Sequence, residues 1–233
     1  VTRVQDNYVA QWGDPDGDDK AKAKPLPSGL VTVPESEYYL RSGDRQTKCD
    51  RDVCVEVPGV ISTYSQGNKD SYAEFSGFGR GWPLAYDRKA GGPYDTWPVH
   101  CYGMVGVGRN MSPDTGSGAE LYTVIGHAPR HLDRNIALVG RVIEGIEHLS
   151  SLPRGTGALG VYESRGEQVP IRSIRLGNEV KDLPAYEYLS TESQSFARYA
   201  DARANRRDPF FIRPAGGADI CNIPVPVRRV PAG

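Results

Sequence analysis

The sequence contains no apolar run that approaches the ~18–20 residues required by a membrane-spanning helix. It also has no excess of charge of either sign, because its formal net charge is −1. This balance gives no electrostatic reason to expect nucleic acid or an anionic membrane as a partner. The chain is therefore expected to be water-soluble, with no membrane span and no nucleic-acid partner.

The motifs of most cofactor and metal sites are missing as well. There is no G-x-S-x-G and no P-loop, and the glycines of 103–108 are not followed by the helix that a dinucleotide fingerprint needs. His127 and His131 lie close in sequence, but Pro129 between them opposes a metal pair on one helix face. We expect neither a metal nor a cofactor.

An acidic segment, 14–19, begins like a calcium-binding loop. Pro25 stands at the position of that loop where a bidentate Glu is required. A solvated acidic turn is therefore the favoured interpretation, and a calcium site is the alternative.

Cysteine is scarce, with only four residues in the chain. Cys49 and Cys54 flank 50–53, a spacing that would allow a disulfide to close a small hairpin. A Cys101–Cys221 bridge is the second pairing considered, and four unpaired thiols are the alternative. Disulfides would indicate an oxidising compartment.

Glycine and proline are abundant, at 27 and 18 residues, whereas long helical patterns are few. This composition favours a loop-rich β architecture. A chain of 233 residues is long enough to bury a core, either as one domain with extensions or as two small domains.

The most informative stretch is Tyr102–Gly145, which has three strand-like runs and then a short helical segment. The runs are 104–108, 120–125 and 136–142, and a Gly/Ser/Asp-rich loop separates the first two. Glycines inside strands mark bulges or a close approach of the backbone, often beside a ligand. On its own, this pattern predicts a β-rich site.

The same stretch resembles the core of the cyclophilins, a family of peptidyl-prolyl cis/trans isomerases. The family pattern has a strand G-x-[VIL]-[SG]-[MV]-[AG], a Gly/Ser-rich loop leading into S-Q-F-F-I, and then W-L-D-G-x-x-[VI]-[VA]-F-G-[KR]-V. The corresponding segments are 103–108, 116–124 and 131–142, in the same order and with similar spacing.

The first residues, 1–14, resemble another cyclophilin motif, F-x-R-[VI]-[IV]-x-x-F-x-x-Q-G-G-D. Arg3 matches the family's catalytic arginine, Tyr8 a phenylalanine of the pocket and Gln11 a glutamine of the site. Trp12 departs from the usual Gly or Thr. A chance match of a short strand is the alternative.

The resemblance implies a mainly β fold, a closed antiparallel β-barrel with a few short helices. In the family, two strands and a helix precede the arginine motif, and these N-terminal strands are absent from this sequence. A barrel without them would have open edges. We therefore expect the missing segment to exist elsewhere as a partner of this chain: cleaved but associated, present but not observed, or in another chain.

The cyclophilin-like domain is predicted over 1–177, with 21–97 as an insertion of hairpins and loops. The insertion is either a rim that selects partners or a packing ornament. A half-buried strand over 170–176 is expected to close the sheet. The C-terminal extension, 178–233, is predicted to form one helix beginning at Ser190–Glu192 and a Pro-rich tail packed on the domain.

The resemblance assigns catalysis to Arg3 and Gln11. Arg3 would offer its always-charged donors to the twisted amide, and Gln11 would orient Arg3 or the substrate carbonyl. The other matched positions are expected to bind the proline-containing polypeptide, Gly108 and Arg109 through their backbone groups. These positions are Tyr8, Val9, Met104, Gly108, Arg109, Glu120, Tyr122, His131, Leu132 and Ile136.

Four of these positions depart from the family pattern. Glu120 replaces Gln, and its carboxylate would either orient Arg3 or compete with substrate for it. Tyr122 replaces Phe and adds a hydroxyl. His131 replaces Trp, as in many bacterial members, so weak cyclosporin binding is expected. Ile136 replaces a His at the rim.

The predicted function is that of a bacterial cyclophilin-type prolyl isomerase that assists protein folding by rotating X-Pro bonds. The first alternative is a cyclophilin-like peptide-binding or chaperone module with little turnover. A disulfide-containing surface protein without prolyl activity is the second. The expected location is the periplasm, from the cysteines and the bacterial relatives, with the cytoplasm as the alternative.

Overall fold

The computed structural model describes residues 1–17, 19, 21–41, 48–50, 53–55, 70–91 and 94–231, with only the backbone described at 48–50 and 53–55. Packing divides the chain into two compact units. One comprises Val1–Tyr38 and His100–Pro184, and the other comprises Tyr39–Val99 and Ala185–Gly233. No helix in the described ranges is long and apolar enough to cross a membrane.

Short strands dominate both units, as the sequence predicts. In chain order they are β1 (Arg3–Val4), β2 (Val9–Gly13), β3 (Leu40–Arg41), β4 (Lys48–Asp50), β5 (Val53–Val55), β6 (Phe75–Gly79), β7 (Trp82–Arg88), β8 (Tyr94–Pro98), β9 (Met104–Val107), β10 (Glu120–Val124), β11 (Leu138–Arg141), β12 (Tyr186–Tyr188) and β13 (Val227–Arg229). The α-helices are α1 (Ile146–Ser150) and α2 (Gln194–Ala204). Single 3-10 turns lie at Glu35–Glu37, Arg130–Leu132, Ala158–Gly160, Gly177–Glu179 and Ile220–Asn222.

The first unit is built on an antiparallel sheet with the strand order β1-β2-β10-β9-β11. The three strand-like runs of 102–145 thus form β9, β10 and β11, and the short helix after them is α1, as predicted. A β-bulge interrupts the β11–β9 pairing between Leu138 and Gly140. Closure of this sheet into a barrel stays a prediction.

One face of this sheet packs on a small apolar core. Val4 of β1 and Ala10 of β2 are fully buried there, and Ile125 and Tyr162 belong to the same buried cluster. The α1 residues Ile146 and Leu149 are partly buried against this cluster. Because side chains alternate along a strand, the neighbours of Val4 and Ala10 project to the opposite face, where the predicted site lies.

The second unit contains an antiparallel sheet with the order β3-β8-β7-β6 and a separate β12–β13 pair. Strands β6, β7 and β8 follow one another as neighbouring hairpins. Phe78 of β6 is fully buried and packs edge-on against Phe196 of α2, with ring centroids 4.9 Å apart. The predicted domain boundaries themselves stay a prediction.

Helix α2 begins later than the sequence suggests. Its N-cap is Ser193, whose side chain accepts a hydrogen bond from the backbone N–H of Phe196. Thr191 and Glu192, expected to start the helix, instead accept hydrogen bonds from the backbone N–H groups of Gly81 and Arg80 at the β6–β7 turn. Backbone N–H donors of the β6–β7 turn therefore engage these side chains and keep them from capping α2.

We expect Ser193→Ala to lower the free energy of unfolding by about 1 kcal/mol, because an N-terminal donor of α2 loses its acceptor. Ser193→Thr, which keeps a hydroxyl acceptor, is the control. Urea denaturation of the three proteins measures the difference. Equal losses in the Ala and Thr variants would contradict a capping role.

The predicted closing strand over 170–176 is wrong, because these residues form no strand. Ile171 and Ile174 are 45% and 76% exposed. They lie three residues apart and so fall on opposite faces of any strand. A strand here would have had no consistently apolar face to bury.

The cysteines fall into two groups. Cys49 and Cys54 are opposite each other in the β4–β5 hairpin, but their side chains lie outside the described residues, so the predicted bridge stays a prediction. Cys101 and Cys221 are both disulfide-bonded. The alternative of unpaired thiols is therefore wrong for these two residues.

Candidate functional site

The sheet register of the first unit places the predicted catalytic residues in one row. Arg3 is opposite Gln11, Gln11 is opposite Tyr122, and Tyr122 is opposite Gly106. Opposed residues of antiparallel strands project to the same face. Positions two residues away along these strands share that face, and they include further predicted site residues: Val9, Met104, Gly108 and Glu120.

Arg3 is half-buried at the edge of this row and is held at three of its nitrogens. Nε donates to the Leu159 carbonyl at 2.7 Å, Nη1 donates to Gln11 Oε1 at 3.3 Å, and Nη2 donates to Gln5 Oε1. A guanidinium has five N–H donors in a fixed plane. The described contacts therefore fix its orientation and leave N–H groups for a ligand.

Burial lowers the pKa of the Arg3 guanidinium, while the neighbouring Tyr8 and Glu120 raise it. The group nevertheless remains charged at any physiological pH, because an arginine begins far above that range. Partial desolvation strengthens any hydrogen bond that the guanidinium donates. The site thus presents a fixed cation at the edge of the sheet.

One aromatic ring lies beside Arg3, and a second ring stacks on the first. The Tyr8 ring lies 5.8 Å from the Arg3 Cζ atom, a cation–π distance. His131 stacks almost parallel to Tyr8, with ring centroids 6.2 Å apart and an interplanar angle of 8°. Burial raises the pKa of the Tyr8 hydroxyl. Tyr8 therefore lies next to the arginine, and His131 is stacked on Tyr8.

Gln11 connects Arg3 to Glu120. Its Oε1 accepts from Arg3 and its Nε2 donates to Glu120 Oε2 at 3.1 Å. These two contacts fix the orientation of the Gln11 amide. They also bring the Glu120 carboxylate close enough to act electrostatically on Arg3.

We expect Glu120→Gln to raise kcat/KM for an X-Pro peptide about two- to fivefold, since a half-exposed charge pair is worth up to about 1 kcal/mol. The amide still accepts from Gln11 but no longer attracts the guanidinium away from substrate. Glu163→Gln, at an exposed position, is the matched control. A fall in kcat/KM would show instead that Glu120 orients Arg3 for catalysis.

Tyr122 lies in the centre of the row and is 5% exposed. Its ring passes over Gly106, where a Cβ atom would lie 2.3 Å from both Cζ and the hydroxyl oxygen. Gly106 therefore marks a close approach, as the sequence predicts for glycines in strands. The hydroxyl hydrogen-bonds with His100 Nε2 at 2.8 Å, and burial raises the Tyr122 pKa far above its ordinary value.

The remaining predicted residues surround the row. Val9 and Met104 are buried, and Leu132 and Ile136 are half-buried in and after the Arg130–Leu132 turn. Arg109 donates to the Asn135 carbonyl at 2.9 Å. The Gly108 N–H is used in a hydrogen bond to the Glu120 carbonyl at 2.8 Å. The predicted backbone contact of Gly108 with substrate stays a prediction.

Sequence reasoning missed several residues of the site. Gln5 and the Leu159 carbonyl hold Arg3, and His100, Arg130 and Asp133 lie behind Tyr122. Asp133 was visible only as part of the H-L-D match, and His100 carried no motif. In the described ranges no group of three or more His, Cys, Asp or Glu side chains is placed to hold a metal ion.

Comparison with known proteins decides the family. The family model described as "Cyclophilin type peptidyl-prolyl cis-trans isomerase/CLD" matches residues 1–176. The chain belongs to the cyclophilin family. The cyclophilin model covers both segments from which the resemblance was inferred, including Arg3 at one end and the 131–142 segment near the other.

A solved cyclophilin structure shows the same fold. The crystal structure of cyclophilin AquaCyp293 from Hirschia baltica aligns with a TM-score of 0.62 over 98% of this chain and 74% of that chain. The two sequences are 19% identical, so the likeness concerns the fold. No curated protein matches the chain.

Proposed function

We propose that this cyclophilin is a peptidyl-prolyl cis/trans isomerase with Arg3 as the electrostatic donor. The observation that carries the proposal is the row of Arg3, Gln11 and Tyr122 on one sheet face. In this row a charged donor fixed by three acceptors stands beside buried Val9 and Met104. These side chains would form an apolar wall bordered by one oriented cation.

The reaction suits such a surface. Rotation about an X-Pro bond must overcome ~18–20 kcal/mol of amide resonance, and no bond has to be broken. The enzyme needs a pocket that holds the proline ring and a donor that interacts better with the twisted amide than with the planar one. Met104, Val9 and the ring of Tyr122 would provide the pocket, with Leu132 beside it.

The guanidinium would interact more strongly with the twisted amide than with the planar one. When the amide twists, the prolyl nitrogen regains its lone pair and becomes a hydrogen-bond acceptor, whereas the planar amide nitrogen is a poor one. A guanidinium already held by Gln5, Gln11 and Leu159 can donate to it with little reorganisation. Neither a nucleophile nor a metal takes part.

A protease-coupled assay with an Ala-Pro peptide tests the proposal. The wild-type protein is expected to accelerate cis-to-trans exchange in proportion to its concentration. Exchange should be far faster than the uncatalysed reaction, which takes tens to hundreds of seconds. Peptide affinity is measured separately by calorimetry. An exchange rate at the uncatalysed value would refute the proposal, whatever the affinity.

A second function is favoured by one observation. Three nitrogens of Arg3 are engaged within the protein, and Glu120 adds an electrostatic attraction that holds the guanidinium near the sheet. A guanidinium retained in that way would make the same surface a peptide-binding or chaperone module with little turnover. Peptide binding without acceleration of exchange is the result expected for that module.

Several finer features belong to the same proposal. The five-stranded sheet is proposed to be part of a closed barrel, and cyclosporin is expected to bind weakly because His131 provides no indole N–H. We place the protein in an oxidising compartment, the bacterial periplasm, supported by the disulfide-bonded state of Cys101 and Cys221. Mapping of thiols in protein isolated under alkylating conditions tests this location, and free thiols at both positions would contradict it.

A further inference from the structure

A chain of buried polar side chains lies behind the Tyr122 wall of the proposed pocket. The Tyr122 hydroxyl and His100 Nε2 are 2.8 Å apart, His100 Nδ1 and Asp133 Oδ1 are 2.8 Å apart, and Arg130 Nε donates to Asp133 Oδ2 at 2.7 Å. The side chains of His100, Asp133 and Arg130 are only 1%, 3% and 2% exposed. At such burial an unmade hydrogen bond is costly, so the chain is held as a unit.

The charges in this chain determine its proton positions. Burial acts to raise the pKa of Asp133, but hydrogen bonds from His100 and the charge of Arg130 outweigh it, so the pKa lies below its ordinary value. An ionised carboxylate only accepts hydrogen bonds, so His100 must carry its proton on Nδ1. Because Arg130 and Asp133 already balance each other, a neutral His100 ring leaves no unpaired buried charge.

In that tautomer His100 Nε2 is an acceptor, and the Tyr122 hydroxyl is the donor. The His100 ring is nearly parallel to the Tyr122 ring, at an interplanar angle of 10° and a centroid distance of 6.3 Å. The Tyr122 ring also lies against Gly106, whose missing Cβ makes room for it. One orientation of the phenol satisfies both constraints.

This series of hydrogen-bonded side chains also joins two walls of the proposed pocket. Tyr122 belongs to β10, whereas Asp133 directly follows the Arg130–Leu132 turn that carries Leu132. Asp133 further accepts a hydrogen bond from the His100 backbone N–H at 3.0 Å, which fixes the backbone of His100 to the same carboxylate. The distance between the Tyr122 and Leu132 walls is therefore set through His100.

We propose that His100 is a positioning residue of the isomerase, which holds the Tyr122 ring at the orientation and distance that fit a proline ring. His100 itself does not contact substrate. The proposal rests on the proposed function, because it requires Tyr122 to form a wall of the proline pocket. It assigns a purpose to the hydroxyl that distinguishes Tyr122 from the phenylalanine usual at this position.

A pocket wall contacts the proline ring in the ground state and in the transition state alike. Its loosening should therefore raise KM and leave kcat nearly unchanged. Loss of the Arg3 donor should instead lower kcat and change KM far less. The two kinds of residue are thus distinguishable by steady-state kinetics.

Two substitutions separate the two hydrogen bonds of His100. His100→Asn places an amide near the Nδ1 position, so it can still reach Asp133 but loses the acceptor for Tyr122. His100→Gln places an amide near the Nε2 position, so it can still accept from Tyr122. We expect His100→Asn to raise KM for the Ala-Pro peptide about tenfold, as for the loss of one buried hydrogen bond, and His100→Gln to raise it less.

A double variant tests whether the effect passes through the hydroxyl. In a Tyr122→Phe background the additional substitution His100→Asn should change KM less than about twofold, because the hydrogen bond is already gone. An equal tenfold effect in both backgrounds would overturn the positioning role and indicate a general structural one. Thermal unfolding of each variant confirms that folded protein is compared.

Wild-type protein gives an independent measurement if a variant fails to fold. Long-range ¹H–¹⁵N NMR of the histidine rings should show His100 protonated at Nδ1 and unprotonated at Nε2. Protonation at Nε2 alone would overturn the proposal, because that nitrogen could not accept from Tyr122. An active wild type with an unchanged KM in His100→Asn overturns only the positioning role, whereas an inactive wild type overturns the isomerase function and this role with it.

Discussion

Replacement of Arg3 by Ala is expected to lower kcat/KM for an X-Pro peptide about 100- to 1000-fold, the cost of losing one preorganised donor to a developing charge. The loss should appear mainly in kcat, because the donor acts on the twisted amide rather than on the bound planar one. The protease-coupled assay at several enzyme concentrations measures it. Calorimetric affinity for the same peptide should change far less.

The controls for this result are two other arginine substitutions. Arg3→Lys keeps the charge but loses the planar fork that Gln5, Gln11 and Leu159 hold, so it should recover only part of the rate. Arg175→Ala, at an exposed position, should leave the rate unchanged. If Arg3→Ala retained more than half of the wild-type rate with its fold intact, Arg3 could not be the electrostatic donor.

Asp133→Asn is expected to lower the free energy of unfolding by about 3–5 kcal/mol, because it leaves the Arg130 charge buried without its partner. Asp133 accepts hydrogen bonds from the Arg130 side chain and from the side chain and backbone of His100. Urea denaturation followed by circular dichroism measures the loss. Asp208→Ala, at an exposed position, is the control and should change stability by less than about 0.5 kcal/mol.

A second variant tests the cause of this loss. Removing both charges, in Arg130→Met with Asp133→Asn, should be less destabilising than Asp133→Asn alone, because no buried charge is left unpaired. A double variant that loses the sum of the two single effects would show that the ion pair is not the source of the stability.

The Asp133 contribution should also depend on pH. Its pKa is lowered in the folded state, so its stabilising effect is fully present above the unfolded value of about 3.9 and is lost as the pH falls through the folded value. The difference in stability between wild type and Asp133→Asn should therefore be constant near neutral pH and narrow below about pH 4. A difference that stays constant into acid would contradict the assignment.

Local patterns were enough to locate much of the sheet. The apolar runs at 104–108 and 120–125 became β9 and β10, because alternation and β-branched residues act within a few positions of the chain. The matched motifs also placed Arg3, Gln11 and Tyr122, and the sheet register brings these three side chains into one row. For these elements local sequence and tertiary packing agree.

Elements whose structure depends on hydrogen-bond partners far away in the chain were predicted less well. The start of α2 was placed at Ser190–Glu192, but Thr191 and Glu192 are used by the β6–β7 turn, and Ser193 caps the helix. The segment 170–176 looked like a strand by its alternating side chains, yet it belongs to none of the strands in the described part of the chain. A capping signal or an alternating pattern shows only that a segment could begin a helix or form a strand. Whether it does so depends on the hydrogen-bond partners that the rest of the fold provides.

The sequence by itself determined the family, the positions of the site strands and the choice of Arg3 as the proposed donor, because these follow from residue types at fixed short spacings. Only the tertiary structure decided that His100, far from Asp133 in the chain, lies between Tyr122 and that carboxylate. The physical reason is that a hydrogen bond acts over about 3 Å of space, with no dependence on separation along the chain. The role of Gly106 could not be read from the sequence for the same reason. Its missing Cβ matters only because the Tyr122 ring packs against it in the folded protein.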